Sequence, residues 1–172
     1  MAWEAKVPGY IGGVPMSQTD AQILDNQSNS RGKFPLGMTV EAYDATNGTG
    51  TFIYLRGAAS TIVGDWVNIH SDDYTAPRLL ASAETTGAVA VAMSANTANN
   101  YGWYCIRGKV PANVAANFAD NGEIYMTDVV ARVDDLAVAG DMVHGAKGAS
   151  AVSGNLADVE LSYPHLAGDP DA

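Results

Sequence analysis

The chain has one cysteine, Cys105, among 172 residues. That excludes an intrachain disulfide framework and any metal site built from several thiolates. Charge is scarce as well: 16% of residues are charged, against roughly 25% in an ordinary soluble domain. Basic residues are the scarcer sign, with 9 Lys and Arg against 19 Asp and Glu, for a formal net charge of −10. A protein that grips nucleic acid through phosphates needs the opposite surplus, because counterion release supplies most of that affinity. Nucleic acid is therefore not an expected partner. Long apolar runs are missing too. The longest, Ala88–Met93, is about a third of the ~20 residues a membrane helix needs, so no membrane partner is expected. Glu4 and two glycines stand where a signal peptide would place its apolar stretch, and the expectation is a protein without an export signal.

Catalytic patterns are absent from the sequence in the same way. It contains no GxSxG, GxxxxGK[ST], HExxH or CxxC, the spacings that serve nucleophilic, phosphate-binding and zinc chemistry. His70, His144 and His165 are far apart in sequence. His70-Ser71-Asp72-Asp73 reads as a solvated turn, since His70, Asp72 and Asp73, nearly consecutive, seldom converge on one cation without further ligands. Asp134-Asp135 also reads as a turn, because adjacent strand residues point to opposite faces and cannot share a substrate. Cys105 sits inside a probable strand and reads as a buried, inert thiol. The reading is a non-enzyme with no cofactor and no metal.

What the sequence does have is alanine, glycine and β-prone runs. Of its residues 28 are Ala and 18 are Gly. Asn47-Gly48 and Asn121-Gly122 are hairpin-turn signals. Runs at Thr39–Tyr43, Thr51–Leu55, Ala59–Val63, Asp65–His70, Val89–Met93, Tyr101–Lys109, Glu123–Met126, Val129–Val133, Met142–Ala146 and Val159–Tyr163 read as strands. Such spacing predicts an all-β fold, a compact β-barrel or β-sandwich with a jelly roll among the arrangements. Short helical turns compete at Thr19–Asn26 and Val114–Phe118. Arg56-Gly57 with Gly64-Asp65-Trp66-Val67 is echoed by Arg107-Gly108 with Gly140-Asp141-Met142-Val143, which would fit a duplicated half-barrel.

Residues 1–37 read differently from residues 38–172, the β-domain. They mix Pro, Gly and polar residues without strand or helix period, yet carry aromatics that disordered tails usually lack. The expectation is an extended N-terminal arm that orders on a partner, with Trp3, Tyr10, Ile11 and Phe34 as anchors and Arg31 and Lys33 as charge-assisted contacts. Removal of residues 1–35 would then spare the fold. Tyr101, Trp103 and Tyr104 form an aromatic group read as core, or as an oligomer or ligand contact able to stack on carbohydrate.

The stretches TFIYLRGAASTIVGDWV (Thr51–Val67), AVAMSANTANNYGWYCIRGKV within Val89–Val110, and GEIYMTDVVARVDD with AGDMVHGA within Gly122–Ala146 together resemble capsid decoration, or cement, proteins of tailed bacteriophages. The resemblance implies a non-enzymatic β-domain on the outside of an icosahedral shell, made in the bacterial host cytoplasm. Its implied partners are the major capsid protein and copies of itself, a homotrimer favoured over a dimer. A carbohydrate- or receptor-binding module on a virion surface is the alternative.

Overall fold

The computed structural model describes residues 4–5, 15–21, 23–24, 30–80, 86–137 and 141–167. These residues contain strands, turns and bridges, and no helix, so the all-β expectation holds. In chain order the strands are β1 (Glu4–Ala5), β2 (Thr19–Asp20), β3 (Ile23–Leu24), β4 (Ser30–Arg31), β5 (Thr39–Asp44), β6 (Gly48–Gly57) and β7 (Trp66–Asn68). There follow β8 (Thr75–Ala76), β9 (Gly87–Ala92), β10 (Tyr101–Asn113), β11 (Glu123–Met126), β12 (Val133–Asp134), β13 (Met142–Gly148) and β14 (Leu156–Leu166). Twelve of them form one sheet, whose main path runs β1-β5-β6-β10-β9-β14-β13-β11-β12, and β3 pairs with β4 separately. Among the described residues the ladder does not close, although Val133 of β12 makes a single parallel bridge to Val114, just past the end of β10.

The 13-residue β10 is the spine. One edge pairs with β6 from Tyr101 to Arg107. The other is shared in sequence by β2 at Tyr101–Gly102, β9 at Tyr104–Cys105 and β14 from Arg107 to Asn113. Strand β9 also pairs with the far end of β14, at His165 and Leu166. It thus fills the fork where β10 and β14 diverge.

Strand alternation explains the core. In β5, Val40, Ala42 and Asp44 are buried while Thr39, Glu41 and Tyr43 face out, the period-2 pattern of a one-sided strand. The central strands are buried on both faces. Phe52, Tyr54, Trp66, Val89, Val91, Trp103 and Cys105 point into the larger core. Their neighbours Leu55, Val67, Ala90, Ala92, Tyr104 and Ile106 fill a second, smaller one. Trp66 and Val67 therefore do not compete for one inward side; each has its own.

The β5–β6 turn follows the Asn47-Gly48 signal, with three loop residues between Asp44 and its partner Gly48. Gly48 takes φ 80°, and Asp44 Oδ1 accepts from the Thr46 and Asn47 amides at 3.0 and 2.9 Å. This is the three-residue hairpin in which a left-handed glycine closes the loop.

Several expected elements differ. Thr19–Asn26 is not helical, because Thr19–Asp20 pairs with β10 and Ile23–Leu24 with β4. The Val114–Phe118 helix is likewise replaced: the Val114 and Ala115 amides donate to Asn155 and Val133 carbonyls instead. Ala59–Val63 is a turn with a single bridge, Thr61 to Asn96. Of Val129–Val133 only the last residue enters a strand. The Arg-Gly echo is not a structural repeat, since Arg56-Gly57 ends β6 whereas Arg107-Gly108 lies within β10.

The N-terminal boundary moves as well. Met16 is fully buried in the larger core, Asp20 is buried, and Phe34, Leu36 and Met38 pack on that core. At Gly32 any Cβ would stand 2.7 Å from the Tyr54 ring and 2.9 Å from that of Tyr101. The described residues from 15 to 37 are thus part of the domain and not a detached arm.

Candidate functional site

Of the expected arm contacts, Trp3, Tyr10 and Ile11 lie outside the described residues. Arg31 is placed only by its backbone, opposite Ile23. Lys33 and Phe34 are placed fully, Phe34 on the chain's own core and Lys33 exposed beside it. Phe34 meets Tyr54 edge-on at 5.3 Å between ring centroids and Trp103 at 5.5 Å. Lys33 Nζ lies 5.7 Å from the Phe34 centroid, and its backbone amide donates to Tyr54 Oη at 3.2 Å.

Tyr101, Trp103 and Tyr104 are at most 1% exposed. Their faces are spent inside the chain: Tyr54 stacks on Tyr101 at 6.0 Å and meets Trp103 at 5.0 Å. Tyr104 accepts a 2.6 Å bond from Asn96 Nδ2 in the second core. The expectation that these three contact a ligand or another subunit is therefore corrected, and the core alternative is the right one. Strand alternation is the cause, because the first half of β10, Tyr101–Ile106, is covered on both faces and leaves no side chain at the surface.

Cys105 is buried, and desolvation pushes its thiol up to about 12. Its Sγ donates to the Arg107 carbonyl at 3.3 Å. A thiol held protonated in this way is a poor nucleophile. At the His70 turn, Thr75 donates through Oγ1 and N to Asp73 Oδ1, at 2.7 and 3.0 Å. These bonds hold the Asp73 carboxyl below its ordinary value. Asp135 Oδ2 accepts from the Ala119 amide at 3.1 Å, so that acidic pair also shapes a turn. His144 and His165, distant in sequence, face each other across β13 and β14 with rings 5.4 Å apart. Only strand register could have shown this. Among the described residues no three potential ligands gather around a metal position.

Two surface features remain. The first is apolar. Ile62, Val63, Leu80, Val129 and Val130 are each 40–52% exposed and come from three loops tied together by backbone bonds. The Trp66 amide donates to Ala131, that of Ala131 to Leu79 at 2.6 Å, and that of Leu79 to Trp66 at 2.8 Å. Beneath them Asp65, 1% exposed, accepts from Asn113 Nδ2 at 2.6 Å, Arg78 Nε at 2.8 Å and the Ile62 amide at 3.0 Å. The aliphatic rim thus rides on a fixed frame. It was missed in the sequence because its β-branched residues look like strand interior.

The second feature is a cleft of about 580 Å³ lined by Arg107, Gly108, Lys109, Gly145, Lys147, Glu160 and Ser162, with Asn47 and Thr49 from the β5–β6 hairpin. Register puts Lys109, Glu160 and Lys147 in one row across β10, β14 and β13. Lys147 Nζ pairs with Glu160 at 3.0 Å. The sequence shows Arg107-Gly108-Lys109 but not the strands that complete the row. Comparison with family models, with curated proteins and with solved structures gives no match.

Proposed function

We propose that the protein is a non-enzymatic structural component of a tailed-phage virion, which binds the capsid exterior and cements neighbouring major capsid subunits. The observation that carries this reading is the aliphatic rim of Ile62, Val63, Leu80, Val129 and Val130 on its Asp65 frame. Scattered single apolar side chains need no explanation, but several on tied loops fit a surface that a protein partner covers. Low charge supports the same reading, since interface centres are depleted of charged residues. The resemblance of Thr51–Val67, Val89–Val110 and Gly122–Ala146 to decoration proteins supplies the partner. Those stretches contain β11 and β12 and parts of β6, β7, β9, β10 and β13, all strands of the one large sheet. A homotrimer is the favoured assembly, because several rims acting together multiply modest contacts. The carbohydrate-binding alternative loses its basis, as the aromatic side chains it relied on are buried.

The test is sedimentation of the protein with undecorated shells, beside the Ile62→Ser/Leu80→Ser/Val130→Ser variant. Wild type should co-sediment near parity with the shell protein. The variant should keep its circular dichroism spectrum and stay in the supernatant. Wild type that fails to bind, or a variant that binds at full occupancy, would overturn the reading.

A further inference from the structure

The cleft between β10, β14, β13 and the β5–β6 hairpin holds three of the chain's nine basic residues. Glu160 neutralises Lys147. Arg107 and Lys109 have no ion pair among the described residues, so the lining residues carry a surplus of about two positive charges, with Glu123 of β11 next in the row beyond Lys147. The walls are brought together by backbone. Gly108, at φ 113°, leaves no room for a Cβ, which would stand 2.8 Å from Gly50 Cα and 2.9 Å from the Thr49 carbonyl oxygen. Gly145, at φ 74°, meets the Ser162 carbonyl oxygen in the same way at 2.7 Å. Two left-handed glycines at close approaches are what an L side chain could not supply, and they set the shape of the cleft.

We propose that this cleft docks an acidic polypeptide segment of a partner protein, with carboxylates on Arg107 and Lys109. The inference does not depend on the capsid reading; any partner with an exposed acidic strand or loop fits it. At physiological salt the screening length is about 8 Å, so a short segment feels the local cations more than the net charge of −10. A long polyanion would lie along the acidic remainder of the surface and be repelled. Thr49 and Ser162 each bring a hydroxyl that can both donate and accept. Those match the alternating N–H and C=O groups of a peptide, whereas a phosphate chain offers acceptors only.

The experiment is fluorescence anisotropy of the full chain with a labelled peptide of alternating Asp and Ser, and with its Asn-Ser counterpart. The acidic peptide should bind, and bind more weakly as NaCl is raised; the amide peptide should not. Arg107→Gln/Lys109→Gln should weaken binding at least about tenfold, the loss of one or more charge-assisted hydrogen bonds. Lys147→Gln should weaken it too, by releasing Glu160 into the cleft. Arg56→Gln, whose partner is Asp73, should leave it unchanged. Equal binding of the two peptides, or full binding by the double variant, would overturn the proposal. So would displacement of the peptide by stoichiometric inorganic phosphate or by a single-stranded oligonucleotide, which would reassign the cleft to free anions or nucleic acid.

Discussion

Tyr54 donates its phenolic hydrogen to Asp20 Oδ2 across 2.9 Å, inside the domain. This bond joins β6 to the segment that follows residue 14, and Gln18 Nε2 completes the carboxylate at 2.6 Å through Oδ1. Tyr54→Phe keeps the ring packing but deprives a buried carboxylate of one donor and the Lys33 amide of its acceptor. Losing a hydrogen bond to a charged group costs about 1.5–3 kcal/mol. An unfolding free energy lowered by that amount, read as a lower urea midpoint with an unchanged m-value, is the expected result.

The same relationship revises what truncation does. Removing residues 1–35 takes away Met16, Asp20 and Phe34, and uncovers Tyr54, Tyr101 and Trp103. Burying one such apolar side chain is worth about 1.5–3 kcal/mol, a large part of the ~5–15 kcal/mol that stabilises a typical domain. The truncated chain should lose cooperative thermal unfolding, measured by near-ultraviolet circular dichroism. A sharp transition near the full-length temperature would restore the detached-arm reading.

How far the sequence led can be seen in particular residues. The turn at Asn47-Gly48 and the strands from Thr51, Val89 and Tyr101 are local: a glycine with positive φ and a β-prone run are enough to find them. At Ile62 and Val63 a competing side-chain-to-backbone bond overrides the β propensity. They look like strand interior until the Asp65 carboxylate accepts the Ile62 amide and turns the chain. Val129 is diverted similarly by Thr127, whose Oγ1 accepts from the Val129 amide at 3.2 Å and donates to Arg132 at 3.0 Å. The aromatic set was visible, but its burial on both faces depends on which strands flank β10. The Lys109–Glu160–Lys147 row and the His144–His165 pair rest wholly on register, which composition does not encode.

Alkaline pH should destabilise the protein. Burial raises the Cys105 thiol from its ordinary 9.0 to about 12. Burial first also raises the phenols of Tyr54 and Tyr104 above their ordinary 10.0, with Asp20 adding to the effect at Tyr54. Each group holds its proton more tightly folded than unfolded. Its contribution is therefore complete below its unfolded pKa and is lost as pH rises toward the folded value. Unfolding free energy should fall from about pH 9 upward, by at most about 1.4 kcal/mol per pH unit for each group. Urea titrations at a series of pH values should show a shallower decline for Cys105→Ala. An equal slope in the variant would mean that the thiol titrates alike in both states.

Asp65 links stability to the proposed contact surface. It is 1% exposed and holds Arg78, Asn113 and the amide of Ile62 together. Asp65→Ala leaves three donors without this acceptor, and removing one partner of a buried pair costs about 3–5 kcal/mol. Arg78 is part-exposed at 28%, so water takes over some of its hydrogen bonding and the loss belongs at the lower end. The Ile62–Val63 loop should also loosen, because the carboxylate defines its turn. Two measurements separate the effects. The denaturation midpoint reads the frame, and amide hydrogen exchange at Ile62 and Asn113 reads the loop. Faster exchange at Ile62 under conditions where the protein stays folded is the expected result; unchanged exchange would show that the rim is held by the Trp66–Leu79–Ala131 backbone bonds alone.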